Sequence, residues 1–173
     1  MSKCDFGLIG LAVMGQNLVL NAESKGFSVA VYNRTEKVTS DFLRKHKEKS
    51  IVGVKNLEDF VLALEHPRII QVMVKAGSVV DAVIEQLIPL LDEGDLIIDG
   101  GNSLYTDTVR RENYCKSKNI RYLGAGVSGG EEGALKGPSI MPSGEQTSWE
   151  LVQPIFEAIS AKVDGEPCVT YIG

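Results

Sequence analysis

Several glycine-bearing segments hold the residues of this chain whose types and spacing could do chemistry. The first is "GLIGLAVMGQNL", residues 7 to 18. Gly10 ends an apolar run and permits a tight turn, and Gly15 lets a following helix pack closely on the strand before it. Leu11, Ala12, Val13 and Met14 fill the turn, with Ala12 where a glycine fingerprint would place its second glycine. Alanine adds one methyl group, so a diphosphate can still approach the backbone. N–H groups at the start of the helix would face that diphosphate. A plain strand-to-helix turn has the same spacing, so the flanking elements have to decide.

The end of the next strand chooses among nucleotides. A site for NAD usually carries Asp or Glu there, accepting the ribose 2′-hydroxyl. Here the residues are Asn33, Arg34 and Thr35. Asn33 has no charge to repel a 2′-phosphate, and Arg34 offers a planar cationic fork that matches one. The pattern predicts NADP over NAD.

Three more loops follow strands. "VMVKAGS" (72–78) places Val74, Lys75, Ala76 and Gly77 at the same sheet edge, where small residues leave room for the nicotinamide-side ribose and phosphate. "DGGNS" (99–103) allows an unusual backbone path and presents Asn102 as both donor and acceptor. Asp99 reads there as a structural hydrogen-bonding residue, not a base. In "GVSGGEEGALKGPSIMPSG" (126–144), Ser128, Gly129 and Gly130 offer a hydroxyl and free N–H groups, a nest for a carboxylate or hydroxyl-bearing ligand. Glu131 and Glu132 follow at once, but a first helical turn favours acidic residues without any catalysis. His46 and His66 pair with no evident nucleophile, so no catalytic residue and no metal ligand is assigned.

The elements that must position these loops alternate. Strands are predicted over 5–10, 27–33, 51–54, 68–74, 95–100, 120–127 and 168–173, and helices over 15–26, 35–47, 56–64, 78–91, 106–118 and 147–161. Gly26 suits a helix C-terminus, Thr35 and Asn56 suit N-caps, Pro89 should end or kink its helix, and Thr147 with Glu150 has capping-box spacing. Strand–helix alternation predicts one doubly wound α/β domain over 1–173, Rossmann-like, with a mainly parallel sheet. Its final apolar run suggests a cut at a domain boundary.

Composition narrows the class. The 173 residues, 43% hydrophobic and 24% charged, suit a globular domain. A net charge of −5 argues against nucleic acid or an anionic membrane as the partner. Three cysteines without metal spacing read as free thiols of a reducing compartment, and the N-terminus lacks a signal-peptide pattern. The expected location is the cytoplasm.

Taken together, "GLAVMGQN" (10–17), "YNRT" (32–35), "VKAG" (74–77), "DGGNS" (99–103) and "GVSGGEEGALKGPSIMP" (126–142) resemble the N-terminal coenzyme domain of the 6-phosphogluconate dehydrogenases over essentially the whole chain. That family's first turn has the form GxAxxG, so Ala12 conforms to it. The resemblance implies that residues Gly10 to Gly15 hold the pyrophosphate, and that Asn33, Arg34 and Thr35 hold the adenosine ribose and its 2′-phosphate. It implies cofactor contacts from Val74 to Gly77, contacts of Asn102 with cofactor and substrate, and a sugar-acid site at Ser128, Gly129 and Gly130. The implied reaction turns 6-phosphogluconate and NADP into ribulose 5-phosphate, carbon dioxide and NADPH without a metal. It also implies a second, helical domain, absent from this chain, that supplies the catalytic lysine and glutamate and a homodimer interface. Ser143 departs from the family's usual glycine. Two alternatives remain at this point: a related β-hydroxyacid dehydrogenase domain, and a nucleotide-binding module without catalysis.

Overall fold

A computed structural model describes residues 3–173. β1 (Phe6–Ile9) leads into α1 (Val13–Ser24), β2 (Val29–Tyr32) into α2 (Glu36–Lys45), and β3 (Ile51–Gly53) into α3 (Leu57–Leu62). β4 (Ile69–Val72) leads into α4 (Ser78–Leu87), and β5 (Leu96–Asp99) into α5 (Tyr105–Lys116). Then come β6 (Arg121–Ser128), α6 (Gly130–Lys136), β7 (Ser139–Gly144), α7 (Gln146–Ile159) and a small hairpin of β8 (Lys162–Val163) and β9 (Glu166–Pro167).

The large sheet has the order β3-β2-β1-β4-β5-β6-β7, parallel up to β6 and antiparallel for β7. β1, β4 and β5 are buried at every residue, as strands covered on both faces must be. Phe6 and Leu8 point to a core shared with Leu18 of α1, Phe42 of α2, Ala134 of α6 and Phe156 of α7. Ile9, Ile70 and Ile97 point the other way, to Phe60 of α3, Ile84 of α4 and Cys115 of α5. Each of the Leu, Ile and Phe side chains among them contributes about 1.5–3 kcal/mol relative to exposure. The doubly wound expectation therefore holds. Chain direction across the sheet reverses between β1 and β4, and the crevice at their carboxyl ends is where ligands of such sheets bind.

Local signals held in part. Asn56 accepts from the Asp59 N–H at 2.7 Å and caps α3. Gly26 takes φ +94° just past α1, and α4 gives way at Ile88–Leu90 to a 3-10 turn containing Pro89. Thr35 stands at the N-cap of α2 but makes no side-chain cap bond. The capping box is overturned: α7 begins at Gln146, with Glu145 as its N-cap and no side-chain cap bond. The chain turns from β7 straight into the helix, so Thr147 already lies inside the first turn. Residues 168–173 do not form a separate strand of the sheet. They lie extended along β7, with the Ile140 N–H donating to Cys168 O at 3.0 Å and the Ile172 N–H to Pro142 O at 3.0 Å. β7, β8 and β9 are additions to the predicted elements, and α6 extends the first helical turn anticipated at Glu131 and Glu132.

Cys4, Cys115 and Cys168 are free. Burial, with Glu85 nearby, pushes the Cys115 thiol up to about 12. Thiolate is the species that alkylates. Iodoacetamide near pH 8 is therefore expected to label half-buried Cys168 first and Cys115 only on unfolding. Peptide mass spectrometry of the native chain checks this, and early labelling of Cys115 would contradict it.

Candidate functional site

The first turn is fixed from several sides. Gly10 has φ +102°, and a β-carbon there would run into the backbone carbonyl of Met73. A β-carbon on Gly15 would overlap the carbonyl of Gly10, so α1 sits as close to β1 as backbone allows. The buried Leu11 is clamped at both ends of its backbone. Its N–H donates to Asn33 Oδ1 at 3.0 Å, and its carbonyl accepts from Gln16 Nε2 at 2.8 Å. Ala12 is the N-cap of α1, and the first bond of the helix is donated by the Gln16 N–H to Ala12 O. The N–H groups of Val13, Met14 and Gly15 precede that bond and have no intrahelical acceptor.

Two clefts meet at this turn. One, of about 400 Å³, is lined by Gly10, Asn33, Arg34, Thr35, Val74 and Lys75, with the outer face of α4 as its far wall. The other, of about 660 Å³, is lined by Ala12, Met14, Val74, Lys75, Asn102 and the Ser128–Gly130 segment. Val74 and Lys75 belong to both. A third cleft of about 540 Å³ lies beyond Asn102 and shares that residue with the second. Most of the predicted residues therefore converge on one continuous edge of the sheet.

Some predicted residues do not line a cleft. Leu11 and Gly15 are buried in the turn's own packing, and Val13 faces outward, 52% exposed. Ala76 and Gly77 lie behind Lys75, where Gly77 becomes the N-cap of α4. Asn33 spends Oδ1 on Leu11 and donates from Nδ2 to Thr35 O at 3.3 Å. Arg34 is exposed, and the ion pairs around it, Lys37–Asp41, Arg44–Asp41 and Lys55–Glu36, do not involve it.

The "DGGNS" loop hangs on Asp99, a structural anchor as expected. Its Oδ1 accepts from the Gly101 N–H at 3.1 Å. Its Oδ2 accepts from the Ser103 hydroxyl at 2.6 Å, the Tyr122 hydroxyl at 3.0 Å and Arg111 Nη1 at 3.2 Å. Burial and then Asp99 push the Tyr122 hydroxyl far up, so it stays a donor. Asn102 projects beyond this anchor, exposed between two clefts. The helix α6 that follows Ser128 and Gly129 is held from α1: Asn17 Nδ2 donates to Glu131 O at 3.0 Å, and buried Asn21 Nδ2 to Ala134 O at 3.1 Å and to Ile159 O of α7 at 2.8 Å. Glu132 pairs with Lys136 on the surface of α6, the ordinary helix role anticipated for it. Ser143 lines the third cleft.

Sequence reasoning missed Gln16 and the wall made by Val79, Val83 and Gln86 of α4. That wall had a signal. These positions recur at helical spacing on a face other than the buried Val80, Ile84 and Leu87.

Residues 5–173 match the family model described as the NAD binding domain of 6-phosphogluconate dehydrogenase. The chain is 60% identical over 173 residues to the NADP(+)-dependent, decarboxylating 6-phosphogluconate dehydrogenase of Bacillus subtilis, all of this chain against 37% of that protein. It is 55% identical to decarboxylating 6-phosphogluconate dehydrogenase 1 of Saccharomyces cerevisiae, with 99% of this chain against 35% of that one. The chain thus spans little more than a third of these relatives' length. The Plasmodium falciparum 6-phosphogluconate dehydrogenase, solved in its apo form and in complex with its cofactor NADP+ and with its substrate 6-phosphogluconate, superposes with a TM-score of 0.94 at 48% identity, covering 98% of this chain and 37% of that one. A 3-hydroxyisobutyrate dehydrogenase of Mycobacterium tuberculosis, 19% identical with a TM-score of 0.82 over 98% of this chain and 54% of its own, shares the fold. On the family model over residues 5–173 and the 60% identity over the whole chain, the chain belongs to the 6-phosphogluconate dehydrogenase family, within its NAD-binding domain.

Proposed function

We propose that this chain binds NADP along the carboxyl edge of its sheet and serves as the coenzyme domain of a decarboxylating 6-phosphogluconate dehydrogenase. The observation that carries the reading is the pair of clefts meeting at the Gly10–Gly15 turn, with an uncommitted Arg34 in one and Asn102 and Ser128 in the other. A dinucleotide has that shape: two nucleosides joined by a diphosphate.

The residues fit the cofactor part by part. Helix N–H groups of α1 receive the diphosphate. Arg34 and Thr35 receive the 2′-phosphate, and Asn33 keeps the turn in register through Leu11. The absence of a carboxylate from the end of β2 favours the phosphorylated ribose, because an acidic group there would repel it. Lys75 lies where the two clefts join and can neutralise the diphosphate. When bound, the nicotinamide supplies hydride acceptance from the substrate's hydroxyl-bearing carbon. Asn102 orients both partners from the lip between clefts. Ser128, Gly129 and Gly130 hold the sugar acid through a hydroxyl and free N–H groups.

The general acid–base groups, the homodimer and the helical domain inferred from the family belong to the rest of a longer protein in this reading, and the cytoplasm is its place of action. Among the described residues no helix is long and apolar enough to cross a membrane. Sequence residues such as Asn102 and Ser128 support a dehydrogenase over a bare nucleotide module, which has no use for a sugar-acid nest.

Titration of the chain with NADP and NAD, wild type and Arg34→Ala, tests the proposal. The wild type is expected to prefer NADP. The variant should lose on the order of 10–100-fold of that preference, the scale of a charge-assisted hydrogen bond, with NAD affinity nearly unchanged. Equal wild-type affinity for both nucleotides would sink the assignment of Arg34. Appreciable turnover of 6-phosphogluconate by this chain alone would contradict the assignment of acid–base chemistry to another domain.

A further inference from the structure

Arg111 of α5 is the largest fully buried side chain among the described residues, 1% exposed. Burying a guanidinium is costly unless every donor is matched. Here each of its five N–H groups has an acceptor. Nε donates to Asp81 Oδ1 at 2.8 Å and Nη2 to Asp81 Oδ2 at 3.2 Å. Nη2 also donates to Gly77 O at 2.9 Å. Nη1 donates to Asp99 Oδ2 at 3.2 Å and to Ser103 Oγ at 3.0 Å. The bidentate pair with Asp81 holds the guanidinium further up and holds the Asp81 carboxyl below the usual carboxylate range.

The acceptors come from two places. Gly77 and Asp81 end the Lys75 loop and begin α4, while Asp99 and Ser103 bracket Gly100, Gly101 and Asn102. These two loops follow the neighbouring strands β4 and β5, and Lys75 of the first and Gly100, Gly101 and Asn102 of the second line the larger cleft. Arg111 itself lines neither nucleotide cleft. A β-carbon added at Gly100 would meet the Met73 sulfur and the Gln71 amide, so this end of the loop packs against β4 and its exit. At the far end of the loop the guanidinium holds Ser103, the residue that follows Asn102.

We infer that Arg111 is a positioning residue for the nicotinamide half of the site: it ties the Lys75–Gly77 loop to the Gly100–Ser103 loop and so sets the spacing of Lys75 and Asn102. The inference rests on the NADP reading above. A planar five-donor fork is needed for this, because lysine offers three donors from a single atom and cannot span four residues. The adenosine half is lined by Arg34 and by Val79, Val83 and Gln86 of α4, whereas Asp81, the anchor of the tie on that helix, does not line it.

Two probes separate the halves: 2′,5′-ADP, which fills only the adenosine side, and NADPH, which fills both. Wild type, Arg111→Lys and Ser103→Ala are titrated with each by calorimetry. Ser103→Ala removes one acceptor at the loop and leaves the guanidinium paired with Asp81, Asp99 and Gly77, so it guards against a folding failure of Arg111→Lys. The expected result is a loss of NADPH affinity on the order of tenfold for Arg111→Lys and several-fold for Ser103→Ala, the scale of one lost hydrogen bond to a charged group. The 2′,5′-ADP affinity should stay within about twofold in both. Equal weakening of both probes, or no change in NADPH binding in either variant, overturns the inference. Failure of the wild-type chain to bind 2′,5′-ADP overturns the NADP reading and this inference with it.

Discussion

Gly15→Ala is expected to abolish useful nucleotide binding while Ala12→Gly leaves it nearly intact. The β-carbon added at Gly15 meets the Gly10 carbonyl, a backbone group that cannot swing aside, and then Leu8 in the core at 3.2 Å. Relief requires α1 to lift off β1. That carries Leu18 and Val19 away from Phe6 and Leu8, and overpacking of this kind costs about 1–3 kcal/mol or more. It also swings the N–H groups of Val13 and Met14 away from the Gly10 carbonyl side of the turn. A positioning slip of about 1 Å commonly costs on the order of a hundredfold, and that loss is expected in NADPH titrations of folded protein. Ala12, in contrast, is exposed at the N-cap of α1. Glycine is tolerated at N-caps, so the affinity change should stay within about threefold. Equal behaviour of the two variants would contradict this account of the turn.

The second large effect lies far from the nucleotide. Arg68 is 5% exposed and immediately precedes β4, with its Nη1 donating to Asp95 Oδ2 at 2.6 Å and to Asp92 Oδ2 at 2.8 Å. Asp95, 1% exposed, also accepts from the Arg68 N–H at 2.7 Å and from the Asp92 N–H at 2.9 Å. His66 approaches the same carboxylates at 3.8 Å, but the guanidinium already fills the space a cation would take. Arg68→Met leaves the Asp95 charge buried without its partner, and removal of one member of such a pair costs about 3–5 kcal/mol. Urea denaturation should show that loss. Arg68→Met combined with Asp95→Asn should recover part of it, because the amide removes the buried charge. A double variant no more stable than Arg68→Met would show that the cost is packing and not charge.

The sequence carried the parallel core and the first turn because both are local. Apolar runs as short as "FGLI" and "LIID" are strands on sight, and glycine positions at a tight turn are set by neighbours in the chain. β7 was not legible. Ser139–Gly144 contains Pro142 and Gly144 and has little strand propensity, so its pairing follows from the free edge of β6. Asn33 was legible as a site residue but not as the clamp on Leu11, since that bond joins two strands' ends across the fold. Arg111 lies within the polar stretch predicted as a helix over 106–118, and nothing in that stretch marks it for burial. Its burial depends on Asp81 and Gly77, more than thirty positions away in the case of Gly77, and no local pattern announces such a partner.

The strip at 168–173 has a consequence for solubility. A sheet edge with unpaired backbone groups is a template for other chains. One edge of this sheet is β3, only three residues long. The other, β7, is already taken: the Thr170 N–H donates to Ile140 O at 3.2 Å, the Gly144 N–H to Gly173 O at 3.0 Å, and Tyr171 stacks on Trp149 while its hydroxyl donates to Gly144 O at 2.6 Å. The last residues thus act as a guard rail. While they stay zipped along β7, the β7 backbone groups that they cover are closed to a misfolded neighbour.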